Sequence, residues 1–133
     1  MSQENVEIVR RGYRAFNERN VDALRDDVHP RFELDFSESR SPDRGTYSGI
    51  EGITQLFSVY WEAFESFTLT PEEFIETDDV VIAVVHGVGQ GRSSGVDVEV
   101  RGPHLWTFRD RKVIGFALYQ ELPEALEAAG LSE

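Results

Sequence analysis

The segment GPHLWTFRDRKVIGF, residues 102–116, places a histidine among large aromatic residues. His104, Trp106 and Phe108 alternate with Leu105 and Thr107, and a strand directs alternate side chains to the same face. His104 then has three interpretations: a core residue with one satisfied hydrogen bond, a protein-interface residue, or a proton donor and acceptor in the wall of an apolar pocket. Because an unperturbed imidazole has a pKa near ~6.5, it suits either acid or base chemistry at neutral pH.

A carboxylate on an earlier strand is the second candidate for chemistry. In RFELDF, residues 31–36, Phe32, Leu34 and Phe36 share one face and Asp35 lies on the other. Asp35 is either an exposed carboxylate opposite a core-facing stripe, or a carboxylate inside a pocket. With an ordinary pKa of ~3.9 it is ionised at neutral pH and accepts a proton. The alternation of side chains along the strand leaves both interpretations open, because both faces of such a sheet can be covered.

The sequence predicts neither a metal site nor a cofactor. The chain has no cysteine, which excludes disulfides, thiolate metal ligands and cysteine nucleophiles. His29, His86 and His104 lie far apart, without the spacing of a two-histidine-plus-carboxylate site. GVGQG, residues 87–91, is not followed by a helix, so it reads as a hairpin end and not as a phosphate-binding loop.

Composition limits the classes of partner. The 133 residues fit one domain, residues 1–133, and 40% of them are hydrophobic, enough for a core. A formal net charge of −12 disfavours binding to nucleic acid and to anionic membranes, which require basic patches. The acidic, amphipathic N-terminus is unlike a signal peptide, and no apolar run has the length of a membrane span. We therefore expect a cytoplasmic protein.

The elements that must position these residues follow from hydrophobic periodicity. Helical spacing predicts a first helix ending near Asn20, a short second helix over VDALRDDV, and a third helix that starts at a capping box of Ser48 and Glu51. After Ser66 the period changes to two, which predicts four strands in a meander. Pro123 and Gly130 bracket a short terminal helix.

This order predicts an α+β fold, in which a long, curved antiparallel sheet wraps around the N-terminal helices as a cone with a central cavity. The sheet is apolar on both faces: Val80, Ile82 and Val84 alternate with other apolar side chains. If the helices cover only one face, the other needs a partner, which predicts a two-fold homodimer.

The same order resembles the nuclear transport factor 2-like superfamily, and within it the SnoaL-like, polyketide cyclase-like proteins. The resemblance is carried by YRAFNERNVDAL (13–24), HPRFELDF (29–36), YSGIEGI (47–53) and LWTFRDRKVIGF (105–116), and with the strand pattern it covers nearly the whole chain. It implies a cone-shaped, cystatin-like roll. Because this fold carries isomerases, cyclases, hydrolases, dehydratases and non-catalytic binding domains, pocket residues must decide the function.

In the ketosteroid isomerase-like members, an Asp on the first strand moves a proton, and a Tyr on the first helix and an acid on a late strand hold the enolate oxygen. The resemblance thus implies a cofactor-free isomerase or cyclase in which Asp35 is the base and His104 replaces the late acid. In this comparison Tyr13 lies one residue away from the position of that isomerase tyrosine. One residue on a helix corresponds to a rotation of the side chain by about 100° around the helix axis.

Aromatic residues predict the ligand class. Tyr13, Phe57, Trp61 and Trp106 are expected to border a largely apolar cavity that binds a small apolar or aromatic molecule. Such a stripe is also typical of a plain core. The alternative is therefore a non-catalytic binding or interaction module, or a cone filled by its own side chains.

Overall fold

A computed structural model describes residues 2–37 and 45–131. The chain forms helices α1 (Ser2–Asn17), α2 (Gly49–Ala63) and α3 (Leu122–Ala128) and one 3₁₀ helix (Val21–Asp27). The strands are β1 (Val28–Asp35), β2 (Thr46–Ser48), β3 (Phe64–Glu76), β4 (Val80–Gly91), β5 (Asp97–Arg109) and β6 (Lys112–Leu118). Within the described ranges, no helix is long and apolar enough to cross a membrane.

All six strands form one sheet in the order β2-β1-β6-β5-β4-β3. The predicted meander is confirmed, because β3 to β6 pair with their sequence neighbours in antiparallel fashion. The sheet is mixed, however, since β1 pairs with β6 in parallel. The other described strand pairs are antiparallel, as predicted for the curved sheet.

Alternation on the strands defines an inner face that packs against α1 and α2. On β4 this face carries Val81, Ala83 and Val85, all buried, and on β5 it carries His104 and Trp106 opposite them. The amphipathic α1 contributes Val9, Tyr13 and Phe16 to the same core, and α2 contributes Ile53, Leu56 and Phe57. The main core and the site therefore lie between the N-terminal helices and the sheet.

The outer face is partly covered by α3. Ile82 and Leu105 are buried there against Ala125, in a second apolar cluster that includes Leu122 and Leu126. The expectation that the helices cover one face only is therefore wrong. The terminal helix has Pro123 in its first turn, as its sequence predicts, and packs onto the sheet from outside. A capping box of Glu121 and Glu124, which was not predicted, also marks its start.

Two local predictions differ from the structure. The short second helix is a 3₁₀ helix and ends at Asp27. Ser48 is the N-cap of α2, but its side chain makes no capping hydrogen bond. The predicted loop between β1 and α2 lies partly outside the described residues, and its last residues form β2.

Candidate active site

An apolar cavity of about 120 Å³ lies between α1, α2 and the inner face of the sheet. Its wall consists almost entirely of aliphatic and aromatic side chains from both helices and from β1, β5 and β6. His104 also borders an adjoining pocket of about 230 Å³, together with Val100 and Tyr119. The imidazole therefore lies in the wall between the two pockets.

Three buried polar side chains form a chain of hydrogen bonds in this wall. Nε1 of Trp106 donates to the hydroxyl oxygen of Tyr13 over 3.0 Å. The same hydroxyl lies 2.6 Å from Nδ1 of His104 and shares a hydrogen bond with it. Tyr13 and His104 are 4% and 7% exposed, so these bonds are shielded from water. We call this arrangement the Trp106–Tyr13–His104 relay.

The rings of the relay are held by aromatic packing. Tyr13 stacks on His104 at a centroid distance of 5.7 Å and meets Trp106 edge-on at 5.4 Å. Phe116 on β6 contacts both His104 and Trp106, at 5.0 and 4.8 Å. Gly12 allows the close approach of α1, because a Cβ there would lie 2.6 Å from Cη2 of Trp106. Fixed rings give the relay a fixed geometry.

Burial keeps both ionisable members of the relay neutral. Desolvation lowers the pKa of His104 to about 3, so the imidazole carries no charge at neutral pH. Desolvation also raises the pKa of the Tyr13 phenol, and the hydrogen bond from Trp106 only partly opposes this effect. His104 therefore works as a neutral hydrogen-bonding group, and its low pKa makes it a poor proton acceptor.

The second ring nitrogen of His104 is available to a ligand. Among residues 2–37 and 45–131, none hydrogen-bonds to Nε2, whereas Nδ1 is occupied by Tyr13.

Asp35 is not brought to this site. Leu34 and Phe36, its neighbours on either side, line the cavity, so strand alternation sends Asp35 to the exposed outer face. There its carboxylate accepts a hydrogen bond from the backbone N–H of Ser37 over 2.9 Å. The interpretation of Asp35 as a carboxylate inside the pocket is therefore wrong, and Asp35 and His104 cannot act together on one ligand atom.

Of the four predicted ligand-contacting aromatics, Tyr13, Phe57 and Trp106 line the cavity. Trp61 does not: Phe16 from α1 packs against its ring at 5.1 Å and occupies the cavity wall instead. The guanidinium group of Arg19 also contacts this ring, 3.9 Å from its centroid. Trp61 therefore ties the end of α2 to the end of α1.

Sequence reasoning missed one carboxylate in the cavity wall, Asp27 at the end of the 3₁₀ helix. Both of its oxygens accept hydrogen bonds from Arg11 on α1, each over 2.9 Å. This pairing raises the pKa of the Arg11 guanidinium. Asp27 is the one acidic residue among the described residues that line the cavity. No sequence motif indicates the pair, because it joins two helices that only the tertiary fold brings together.

No metal centre is evident in the described part of the chain, where no three histidine or carboxylate side chains are arranged to hold an ion. His86 contacts Glu72 and Glu99 on the outer face of the sheet, away from the cavity. His29 lies near Asp110, with 3.6 Å between Nε2 and Oδ2. The three histidines thus occupy three separate environments.

Known structures with the same fold extend over nearly the whole chain. TerC, co-crystallised with polyporic acid, is 22% identical, with 96% of this chain and 97% of that chain covered and a TM-score of 0.77. A candidate SnoaL-like polyketide cyclase from Jannaschia sp. CCS1 is 23% identical, with 99% and 94% covered and a TM-score of 0.76. A ketosteroid isomerase-like protein from Catenulispora acidiphila, in complex with trimethylamine, is 19% identical, with 94% and 93% covered and a TM-score of 0.75.

These likenesses establish the fold, and the α+β prediction is confirmed. No protein with a curated function matches the chain. The family model described as the SnoaL-like domain matches residues 9–116, which include the second half of α1, the whole of β1 and β5, and most of β6. The chain therefore belongs to the SnoaL-like domain family, within the nuclear transport factor 2-like fold.

Proposed function

We propose that this protein binds a small, apolar, ring-containing molecule in the cavity and that Nε2 of His104 makes the polar contact with an oxygen of that molecule. The observation that carries the proposal is a neutral imidazole, with a ring nitrogen free of the described protein groups, in a wall that is mostly aliphatic and aromatic. Small-molecule sites commonly combine apolar walls with a few fixed polar groups that set orientation.

A carbonyl oxygen held by His104 would be polarised. A hydrogen-bond donor fixed in a low-dielectric site stabilises negative charge that develops on oxygen, as in an enolate. This supports the oxyanion-stabilising half of isomerase or cyclase chemistry. The base half, predicted for Asp35, has no support from the position of that residue.

The test uses 1-tetralone, a bicyclic aromatic ketone, as the probe. Binding is measured by isothermal titration calorimetry, and infrared difference spectroscopy follows the carbonyl stretch, which moves to lower frequency when the oxygen accepts a hydrogen bond. We expect wild type to bind and to shift the stretch, and His104→Phe to lose the shift. His86→Phe, the same change at a partly buried histidine on the outer face of the sheet, is the control. Absence of binding, or a shift that persists in His104→Phe, would contradict the proposal.

The carboxylate of Asp27 supports a second candidate function, acid–base catalysis. A carboxylate in a mostly apolar wall, oriented by two bonds from Arg11, is suited to remove a proton from carbon. Asp27 directly precedes Val28, the first residue of β1. Val28 pairs with Val113 on β6, and Val113 pairs with Phe108 on β5, which lies four residues along that strand from His104. Four residues on a strand span about 13 Å, so Asp27 and His104 would contact different parts of an elongated ligand.

This second candidate is tested with 5-nitrobenzisoxazole, a probe for a base in an apolar site. A base takes the proton from carbon, the C–H electron pair forms the nitrile, the N–O bond breaks and a coloured phenolate leaves. We expect the rate to fall at least tenfold in Asp27→Asn and to remain unchanged in Asp35→Asn, whose carboxylate is exposed. Equal rates in Asp27→Asn and wild type would exclude Asp27 as the base.

A further inference from the structure

The direction of the hydrogen bonds in the Trp106–Tyr13–His104 relay follows from what each group can do. The indole N–H of Trp106 is only a donor, so the Tyr13 oxygen accepts from it. The phenol has one hydrogen of its own, and at 2.6 Å its partner is Nδ1 of His104. If Tyr13 donates this hydrogen, Nδ1 accepts, and the proton of the neutral ring is on Nε2.

The opposite arrangement is disfavoured by burial. If Nδ1 carried the proton and donated to Tyr13, the phenol oxygen would accept twice and its hydrogen would have no acceptor. Among the described residues, Tyr13 contacts only Trp106 and His104 through hydrogen bonds. A buried hydroxyl hydrogen without a partner is costly, so the arrangement in which every group is satisfied is favoured.

We infer that Trp106 and Tyr13 lock His104 in the tautomer that carries its proton on Nε2, so that the cavity selects ligands with an acceptor-only oxygen, such as a ring ketone, over the corresponding alcohols. Tyr13 and Trp106 are positioning residues in this scheme, because they act through His104. The inference rests on the proposed function, since it concerns the ligand that His104 contacts.

The selectivity arises from the hydrogen of an alcohol. A ketone oxygen only accepts, and Nε2–H satisfies it. An alcohol also brings a hydroxyl hydrogen. The strand neighbours of His104 in the cavity wall are Trp106, Phe116 and Leu118, none of which offers a side-chain oxygen. The Tyr13 hydroxyl beside His104 already bonds to Trp106 and to Nδ1, and the Tyr60 hydroxyl belongs to α2. The carboxylate of Asp27 is about 13 Å further along the sheet, by strand spacing, and is bound to Arg11.

The first test reads the tautomer directly. In protein labelled with ¹⁵N on the histidine rings, the His104 signals are assigned by comparison with His104→Gln. At neutral pH we expect an unprotonated Nδ1 and a protonated Nε2. A protonated Nδ1, or a charged imidazolium, would overturn the inference. This measurement needs only wild type and an assignment variant, so it stays decisive even if substitutions at Tyr13 unfold the protein.

The second test compares three ligands of one shape: 1-tetralone, 1-tetralol and tetralin. In wild type we expect the ketone to bind about tenfold more tightly than the alcohol, because the alcohol leaves a buried donor unpaired. Tyr13→Phe frees Nδ1, so the proton can move and Nε2 can accept from the alcohol. The ratio should then fall toward one.

Tyr47→Phe is the matched control, because Tyr47 is outside the cavity lining and loses the same hydroxyl. It should keep the wild-type preference. Equal affinities of ketone and alcohol in wild type, with tetralone still bound and its carbonyl stretch still shifted, would overturn the inference and leave the proposed function intact. Failure of all three compounds to bind would count against the proposed function, while the ¹⁵N spectrum would still decide the tautomer.

Discussion

His104 is a neutral imidazole because its environment removes the charged form. Its pKa falls from the ordinary 6.5 to about 3 on burial. The folded state therefore binds fewer protons than the unfolded state between these two values. Stability that is fully present above about pH 6.5 is lost as the pH falls toward 3, by about 1.4 kcal/mol per pH unit.

We predict that this loss reaches about 2 kcal/mol at pH 5. The measurement is the free energy of unfolding by urea at pH 7 and pH 5, for wild type and for His104→Gln. Because the variant has no group to protonate, its stability should fall less, and the difference between the two proteins isolates His104 from the other titrating groups. Parallel curves for the two proteins would show that His104 is not buried in this way.

Gly12 presents two opposing effects at one position. Replacing it with Ala favours helix α1 by about 1 kcal/mol through backbone propensity. The added methyl would meet Cη2 of Trp106 at 2.6 Å, and the indole is held by its bond to Tyr13. Overpacking in a core costs about 1–3 kcal/mol, so the clash should win.

We therefore predict a net loss of stability for Gly12→Ala in urea unfolding, accompanied by a change in the fluorescence of Trp106. Gly115→Ala is the control, since a Cβ there meets only ordinary contacts, the nearest 3.5 Å away at Thr107. A more stable Gly12→Ala protein would mean that the indole can move aside.

At the scale of elements, Asn17 joins α1 to the sheet. Its amide donates to the carbonyl of Leu69 and accepts from the N–H of Leu69, both over 2.9 Å. Strand β3 lies at the edge of the sheet, where backbone groups lack a neighbouring strand. The side chain of Asn17 thus takes the place of a strand at one residue and fixes α1, which carries Tyr13.

Asn17→Ala should cost about 1 kcal/mol, because the bonds are at an exposed position where water partly replaces them. Hydrogen exchange at the Leu69 amide should accelerate at the same time. Asn20→Ala serves as the comparison, since Asn20 caps the 3₁₀ helix without a side-chain bond. Unchanged protection of Leu69 in Asn17→Ala would show that the contact does not hold the edge.

At the scale of the whole molecule, the surface left for the predicted homodimer is smaller than the whole outer face of the sheet. Helix α3 covers the outer face around Ile82 and Leu105, so the uncovered part lies toward Val88, which is 45% exposed. There Glu72 pairs with both Arg101 and His86. We predict that a two-fold dimer forms through this part of the outer face.

Light scattering at micromolar protein concentration should give twice the chain mass for wild type. Val88→Asp should lower it toward the monomer, because a buried unpaired charge opposes association. Val96→Asp should not, since Val96 lies in the turn after β4 and is 58% exposed. A monomer mass for wild type would refute the prediction.

The sequence by itself determined the elements and the fold. Period-two and helical patterns are local, and the burial of Val81, Val9 and Phe57 follows them. The inward position of His104 also follows from alternation with Trp106 on one strand. These features depend on residues that are close together in the sequence, so they can be predicted from the sequence alone.

Only the tertiary structure decided which polar groups meet. Strand parity alone could not say which face of β1 borders the cavity, and the packing of α2 against Leu34 and Phe36 turned Asp35 outward. The bond between Tyr13 and His104 spans 91 residues, and the one between Arg11 and Asp27 joins two helices. Such contacts are set by how elements pack in space, which periodicity does not encode.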